Sequence, residues 1–138
     1  MIELWDTSAL ILAAREPSVA LALGDALAND EVAISEPVLL EYLNGARNVP
    51  EYERFDESLR AVRVLSTTPD DWQRALVVHR LLAESGPGHQ RSVRLVDLIV
   101  AAVAERHGYP IAHFDSDYDR IASLTRQDAR WVASPSEA

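Results

Sequence analysis

Short apolar segments alternate with longer amphipathic ones along this chain, and that alternation limits the folds it can adopt. "IELW", "VAIS" and "YPIAHF" have the length and composition of strands, "VRVLS" fits an edge strand and "ARWVAS" a last strand. Helical segments lie between consecutive strands. Strands separated by helices pair in parallel through right-handed crossovers. The sequence therefore predicts an α/β/α sandwich with a mostly parallel sheet of four or five short strands.

The size and composition fit a single domain spanning residues 1–138. The absence of cysteine excludes disulfides and thiolate zinc sites. No apolar run reaches the roughly 18 residues of a membrane span. The first residues, "MIELWDTSAL", carry acids where a signal peptide needs basic residues. We therefore expect a cytoplasmic protein that has no contact with a membrane.

The net charge of −9 argues against a broad basic surface for nucleic acid, although all 13 basic residues are arginines. It does not exclude an enzyme that acts on nucleic acid. Acids gathered at one site can be neutralised by divalent ions, and those ions then attract phosphate. The arrangement of the acids is therefore more informative than the total charge.

Two aspartates come directly after predicted strands. Asp6 follows "IELW", and Asp115 follows "YPIAHF". In parallel sheets ligands bind beyond the carboxyl ends of the strands, at the point where the strand order reverses. On neighbouring strands the two carboxylates would lie side by side and repel each other unless a divalent cation joined them. The alternative for Asp6 is an N-cap, although Ser8 is our predicted cap for the helix in "SALILAAR".

Two further acids stand in apolar helical segments, Glu41 in "VLLEYL" and Asp97 in "RLVDLIVAAVA". A buried carboxylate is costly unless it is paired or bound to a cation. Each has a structural alternative: Glu41 on a solvent-exposed stripe, and Asp97 as an anion that stabilises a helix N-terminus. Oxygen ligands alone suit Mg²⁺ or Mn²⁺. The four histidines lack the spacing of a zinc site: His79, His89, His107 and His113.

Other acids fit helix starts. Asp117 lies two residues after Asp115, still within reach of the same site, whereas Ser116 and Asp119 form the S-x-x-D pattern of a capping box. We therefore predict that Asp119 is structural. Thr68 is the predicted cap of the long helix in "TPDDWQRALVVHRLLAESG", and the acids of its first turn, Asp70 and Asp71, suit the helix dipole.

The loop "GHQRSVR" contributes positive charge beside the predicted acidic site. Arg91 and Arg94 are candidates for holding the phosphates that flank a cleaved bond. A solvated surface loop is the alternative, and the sequence leaves both open.

"DTSAL", "ISEPVLLEYLNG", "VDLIVAAVAERHG" and "IAHFDSDYDRIA" together resemble, in order and spacing, the PIN-domain ribonucleases, specifically the VapC toxins of bacterial toxin–antitoxin pairs. The resemblance implies a PIN-like fold and endonucleolytic cleavage of RNA by a water that Mg²⁺ or Mn²⁺ activates. It implies that the catalytic acids are Asp6, Glu41, Asp97 and Asp115. The metal ligands that it implies are Asp6, Asp97, Asp115 and Asp117. Ser8 takes the place of a small hydroxyl near the metal and the substrate.

The resemblance also implies a homodimer and a cognate VapB-like antitoxin. The family tripeptide around Asp117 usually ends in Phe, and Tyr118 stands there in this chain. One alternative is a PIN-like module that binds RNA or protein without cutting it. A phosphotransfer domain of the receiver or haloacid-dehalogenase type fits less well, because the chain has no lysine and has Ser8 where a D-x-D motif needs its second aspartate.

Overall fold

A five-stranded, all-parallel sheet lies at the centre of the computed structural model, which describes residues 1–137. The strand order is β3-β2-β1-β4-β5. The strands are β1 (Glu3–Trp5), β2 (Val32–Ser35), β3 (Arg63–Leu65), β4 (Ile111–His113) and β5 (Ala129–Trp131). The α/β class, the short strands and the edge position of β3 are confirmed, and the sheet is parallel throughout.

Helices fill the intervals between the strands, as the alternation predicts. They are α1 (Thr7–Ala13), α2 (Pro17–Ala28), α3 (Glu36–Asn44), α4 (Val49–Ser58), α5 (Pro69–Ser85), α6 (Leu95–His107) and α7 (Asp117–Thr125). Two short 3₁₀ helices, His89–Ser92 and Pro135–Glu137, complete the described elements. Within residues 1–137, no helix combines the length and the apolar character needed to cross a membrane.

The helices pack mainly as two groups, α1 to α4 and α5 to α7, and α3 also contacts α6. Right-handed crossovers place these groups on opposite faces of the sheet. The most buried helix is α6, in which every residue from Asp97 to Ala104 is buried. Its apolar character on nearly all sides results from this central position, because α5, α7 and the sheet cover it.

The central strand β1 pairs with β2 on one side and with β4 on the other. The chain runs from β1 to β2 and β3, and then crosses back to β4 and β5. The strand order therefore reverses between β1 and β4. Asp6 and Asp115, which follow these two strands, lie at the edge of the sheet where parallel α/β folds bind their ligands.

The start of α1 differs from the prediction. Asp6, rather than Ser8, is the N-cap: its side chain accepts a hydrogen bond of 3.0 Å from the backbone N–H of Ser8. The cap lies two residues earlier than predicted, because the strand ends at Trp5 and an aspartate directly after it is a strong cap. Asp6 therefore fulfils its structural alternative while also lying at the predicted site.

Candidate metal centre

The carboxyl ends of β1 and β4 are joined through the hydroxyl of Ser8. This hydroxyl donates to Oδ2 of Asp6 at 2.6 Å and accepts from the backbone N–H of Phe114 at 2.9 Å. The backbone N–H of Asp6 donates to the carbonyl of Ala112 at 2.9 Å. Ser8 thus fixes one oxygen of Asp6 and ties the loop before Asp115 to the start of α1.

Asp97 is the third residue of α6 and is fully buried. Its Oδ1 accepts a hydrogen bond of 3.3 Å from the hydroxyl of Tyr118, but its Oδ2 has no hydrogen-bond partner among the residues that the structure describes. Burial raises the pKa of Asp97 to about 8, with further contributions from Asp117 and Asp6, while Arg94 acts in the opposite direction. An acid held in this way lacks the positive charge that its ionised form requires.

Asp115 and Asp117 lie against Asp97. One oxygen from each of the three side chains falls within 4.8 Å of the others. Asp115 is half-buried, and its Oδ1 accepts from the backbone N–H of Asp117 at 2.9 Å. Asp117 is buried, and its two oxygens accept from the backbone N–H of Arg94 at 3.0 Å and from the Arg120 guanidinium at 3.1 Å. Three of the four predicted metal ligands therefore share one site.

Asp6, the fourth predicted ligand, adjoins these three through Tyr118. The Tyr118 hydroxyl donates to Oδ1 of Asp6 at 2.6 Å and also lies 3.3 Å from Asp97. Burial raises the pKa of Tyr118 well above its ordinary value, and the charges of Asp6 and Asp97 act in the same direction. The phenol therefore remains a donor at neutral pH.

Glu41 lies at the rim of the site and contacts no other predicted acid. Its Oε1 accepts from the hydroxyl of Thr7 at 3.0 Å, and its Oε2 pairs with the guanidinium of Arg94. Partial burial acts to lower the pKa of Arg94. The pairing with Glu41 and the nearby charges of Asp97 and Asp6 outweigh this effect and raise that pKa. The predicted substrate residue Arg94 therefore spans from the rim acid to the buried acids.

Arg91 lies outside this network. It is exposed on the 3₁₀ helix His89–Ser92 and forms no ion pair with any carboxylate whose side chain the structure describes. The predicted loop of residues 86–94 thus contains a helical turn, and of its two exposed arginines only Arg94 is paired with a described carboxylate.

The predicted capping box at α7 is wrong. Ser116 has helical dihedral angles (φ −63°, ψ −14°), and its side chain makes no cap hydrogen bond. Asp119 is exposed and instead accepts from the indole N–H of Trp131, at 3.1 Å and 3.2 Å to its two oxygens. Asp115 supplies the carboxylate oxygen that the first turn needs, because it lies two residues before the N–H of Asp117.

Two contributing residues are absent from the predicted site set. Tyr118 is 1% exposed and contacts two of the acids. His113 is fully buried; burial lowers its pKa, and its Nδ1 accepts from the backbone N–H of Asp115 at 3.1 Å. The useful sequence signal was a tyrosine three residues before Ile121, on the inward face of α7. A buried phenol requires a hydrogen-bond partner.

The donor set fits a hard divalent cation. All the candidate ligand atoms are carboxylate oxygens, which Mg²⁺ and Mn²⁺ prefer. The unsatisfied Oδ2 of Asp97 is an independent indication, because a buried polar atom without a partner is costly. A cation among Asp97, Asp115 and Asp117 would provide the missing partner.

Comparison with known proteins agrees with this architecture. The PIN domain family model matches residues 4–124. Ribonuclease VapC18 of Mycobacterium tuberculosis is 36% identical over 132 residues, 96% of this chain and 96% of that protein. Ribonuclease VapC21 of the same species is 40% identical over 100 residues, 72% of this chain and 71% of that protein.

Solved structures share the fold at lower sequence identity. VapBC-1 from nontypeable Haemophilus influenzae aligns with a TM-score of 0.76 and 20% identity, over 97% of this chain and 100% of that chain. A toxin–antitoxin complex from Klebsiella pneumoniae aligns with a TM-score of 0.73 and 19% identity, over 96% and 98% of the two chains. These similarities extend over nearly the whole sheet and its helices.

Proposed function

This chain belongs to the PIN-domain family and, within it, to the VapC ribonucleases, and on that premise we propose that it is a metal-dependent endoribonuclease and the toxin of a VapBC-like pair. The observation that carries the proposal is the unsatisfied, fully buried Oδ2 of Asp97 beside Asp115 and Asp117. Such a carboxylate fits a bound cation better than a structural role. We propose that residues 1–138 act as one domain.

Asp97, Asp115 and Asp117 would hold Mg²⁺ or Mn²⁺, with Asp6 beside them. The ion, when bound, supplies Lewis acidity and a water of lowered pKa. The protein's own contribution is to hold the acids in place. Ser8 fixes Asp6, the backbone N–H of Arg94 fixes Asp117, and the N-terminal turn of α7 fixes Asp115. Hydrolysis by water would leave a 5′-phosphate and a 3′-hydroxyl, and no protein nucleophile is needed.

The distribution of arginines supports a narrow path for RNA. Most of the 13 arginines form ion pairs, whereas Arg15, Arg91 and Arg126 have no such carboxylate partner among the described side chains. Of these three, Arg91 is on the segment that leads directly into α6. We propose that Arg91 binds a phosphate flanking the cleaved bond. Arg94 would bind a flanking phosphate too, after the phosphate displaces Glu41 from its guanidinium.

A homodimer is part of the proposal. Four large apolar side chains from α3, α5 and the start of α6 are between 57% and 70% exposed and line two adjoining pockets that share Trp72 and Leu95: Leu40, Trp72, Leu76 and Leu95. Contiguous exposed apolar surface of this kind marks interaction sites. Light scattering should give a dimer mass for the wild type and a lower mass for Leu76→Asp, whereas Leu21→Asp on α2 should remain dimeric.

The antitoxin is the second proposed partner, in keeping with the VapBC names of the structural neighbours. We propose that an apolar antitoxin helix covers the surface around Ile11, Tyr42 and Tyr52, where Tyr42 packs against Phe55. An arginine from the antitoxin could then pair with the acids. Both partners and the RNA would meet in the cytoplasm. Co-expression of the neighbouring small reading frame should restore growth; persistent arrest would contradict the pairing.

The direct test is RNA cleavage with a matched pair of variants from "FDSDYD". Asp115→Asn should abolish cleavage in Mn²⁺ because it removes a ligand charge, yet it retains an oxygen that can cap α7. Asp119→Asn should cleave like the wild type, and chelation should stop all cleavage. Equal activity of the two variants would overturn the proposed site. Metal-dependent RNA binding without cleavage by the wild type would favour a non-cutting PIN module instead.

A further inference from the structure

We propose that the hydroxyl of Tyr118 is a positioning group of the metal centre, orienting Asp6 beside Asp97; this rests on the proposed metal centre. Among the side chains that the structure describes, this hydroxyl makes the only direct link between these two acids. Tyr118 itself would not touch the reacting atoms.

The phenol ring is held independently of the acids it contacts. Tyr118 is the second residue of α7, is 1% exposed, and lies in the core with Ile121. Its ring packs against the buried imidazole of His113, with the ring centroids 5.1 Å apart. The N-terminus of α7 is fixed in turn by Asp115. The hydroxyl is therefore a fixed point that orients Asp6 and lies against Asp97.

The two contacts of the hydroxyl are unequal. A phenol has one proton, and the 2.6 Å distance to Oδ1 of Asp6 identifies a charge-assisted bond, while Oδ1 of Asp97 lies at 3.3 Å. Because the Ser8 hydroxyl already donates a hydrogen bond to Oδ2 of Asp6, both oxygens of this carboxylate are held by hydrogen bonds. Asp97 keeps its Oδ2 free of protein partners in the described chain and so available to a cation.

A purely structural tyrosine would look different. Packing against His113 and Ile121 needs only the ring, which phenylalanine also provides. A hydroxyl placed in a fully buried position costs free energy unless it is hydrogen-bonded, and the partners here are two candidate metal-site acids. Hydrogen bonds to metal-binding carboxylates commonly change metal affinity or activity by about 10–100-fold when they are removed.

The test compares Tyr118→Phe with Tyr109→Phe. The ring of Tyr109 stacks on that of His107, with the ring centroids 5.5 Å apart, and does not contact the acids. Removing the Tyr109 hydroxyl is therefore a matched control. Calorimetric titration of the metal-free protein with Mn²⁺ should give an affinity about tenfold or more weaker for Tyr118→Phe, and an unchanged affinity for Tyr109→Phe. For RNA cleavage at a fixed low Mn²⁺ concentration, kcat should fall while KM for the RNA stays the same.

The outcomes separate this role from a structural one and from the nuclease proposal. Wild-type Mn²⁺ affinity in Tyr118→Phe overturns the positioning role, even if the melting temperature falls. A wild type that binds no Mn²⁺ overturns the metal centre and the role of Tyr118 together. A wild type that binds Mn²⁺ but cuts no RNA overturns the nuclease alone, and weaker binding by Tyr118→Phe then still supports the positioning role.

Discussion

Two buried aspartates occupy the same local position in adjacent helices and have opposite environments. Asp71 is the third residue of α5, and Asp97 is the third residue of α6, which packs against α5. Asp71 is 1% exposed and Asp97 is 0% exposed. Helix position and burial therefore cannot explain any difference between them.

The partners of the two carboxylates differ. Asp71 accepts from the N–H and hydroxyl of Thr68 at 2.8 Å and 3.1 Å, and from the guanidinium of Arg106 at 2.9 Å and 3.1 Å. Burial acts to raise its pKa, but the hydrogen bonds from Arg106 and Thr68 hold the pKa of Asp71 below its usual value. Asp97 has one long hydrogen bond and a pKa of about 8. The fold supplies donors to both oxygens of Asp71 and, within the described residues, none to Oδ2 of Asp97.

Replacing each acid by its amide should separate the two roles most strongly. Asp97→Asn should reduce RNA cleavage by at least about 10³-fold, because a metal ion contributes several kcal/mol to stabilising the transition state. Asp71→Asn should cleave normally but lose about 1–3 kcal/mol of unfolding free energy, because Arg106 and Thr68 lose a charged acceptor. Full cleavage by folded Asp97→Asn would contradict the assignment.

The pH dependence of stability should have opposite signs for the two acids. Folding raises the pKa of Asp97 from an ordinary 3.8 to about 8, so the metal-free native state binds the extra proton between these values. Its unfolding free energy should therefore fall, by a few kcal/mol, as pH rises from about 4 to about 8. Asp71, whose pKa is lowered, contributes stability that is lost only as pH falls below about 4.

Denaturant melts in a chelator measure this effect. Asp97→Asn should flatten the decline between pH 4 and pH 8, and Asp71→Asn should leave that decline in place. An equally steep decline in Asp97→Asn would show that the decline does not come from Asp97.

A smaller effect is expected for the hydroxyl that joins the strand ends. Ser8→Ala should cost about 1–3 kcal/mol of unfolding free energy, since Asp6 loses a donor and the N–H of Phe114 loses its acceptor. Cleavage should fall by about tenfold as Asp6 becomes less well oriented. Ser123→Ala, which removes a hydroxyl on the exposed side of α7, is the control and should change neither quantity. Equal effects of the two changes would argue against a bridging role for Ser8.

The smallest effect should come from Asp119→Ala. Its contact with the Trp131 indole is exposed, so the loss should be about 0.5 kcal/mol, at the low end for a single hydrogen bond. The emission of Trp131 should shift, because its indole N–H becomes free to bind water. A loss near 2 kcal/mol without that shift would indicate that Asp119 stabilises the helix N-terminus after all.

The fold and much of the site were predictable from sequence, for reasons that particular residues illustrate. The alternation of strands and helices fixes parallel pairing, and an aspartate directly after a strand must lie at the carboxyl edge, as Asp6 and Asp115 do. The caps at α1 and α7 were mispredicted because several adjacent polar residues compete for the same N–H groups. In each case, the aspartate closest to the strand end supplies the carboxylate oxygen that caps the first turn.

Tertiary contacts account for the rest. Sequence does not reveal that Arg106, 35 residues from Asp71, stabilises that acid, or that no comparable cation reaches Oδ2 of Asp97 within the described chain. It also does not show that Arg94 pairs with Glu41 at the rim, or that Tyr118 reaches both Asp6 and Asp97. These contacts depend on how α3, α6 and α7 pack around the end of β1.

We propose that Asp97, and not Asp71, belongs to a metal centre. Thermal melts of the wild type, Asp97→Asn and Asp71→Asn, each with and without millimolar Mn²⁺, test it directly. A ligand that binds only the folded state raises the melting temperature. We expect a clear rise in melting temperature for the wild type and for Asp71→Asn, and little or none for Asp97→Asn. No rise in the wild type, or an equal rise in Asp97→Asn, would contradict it.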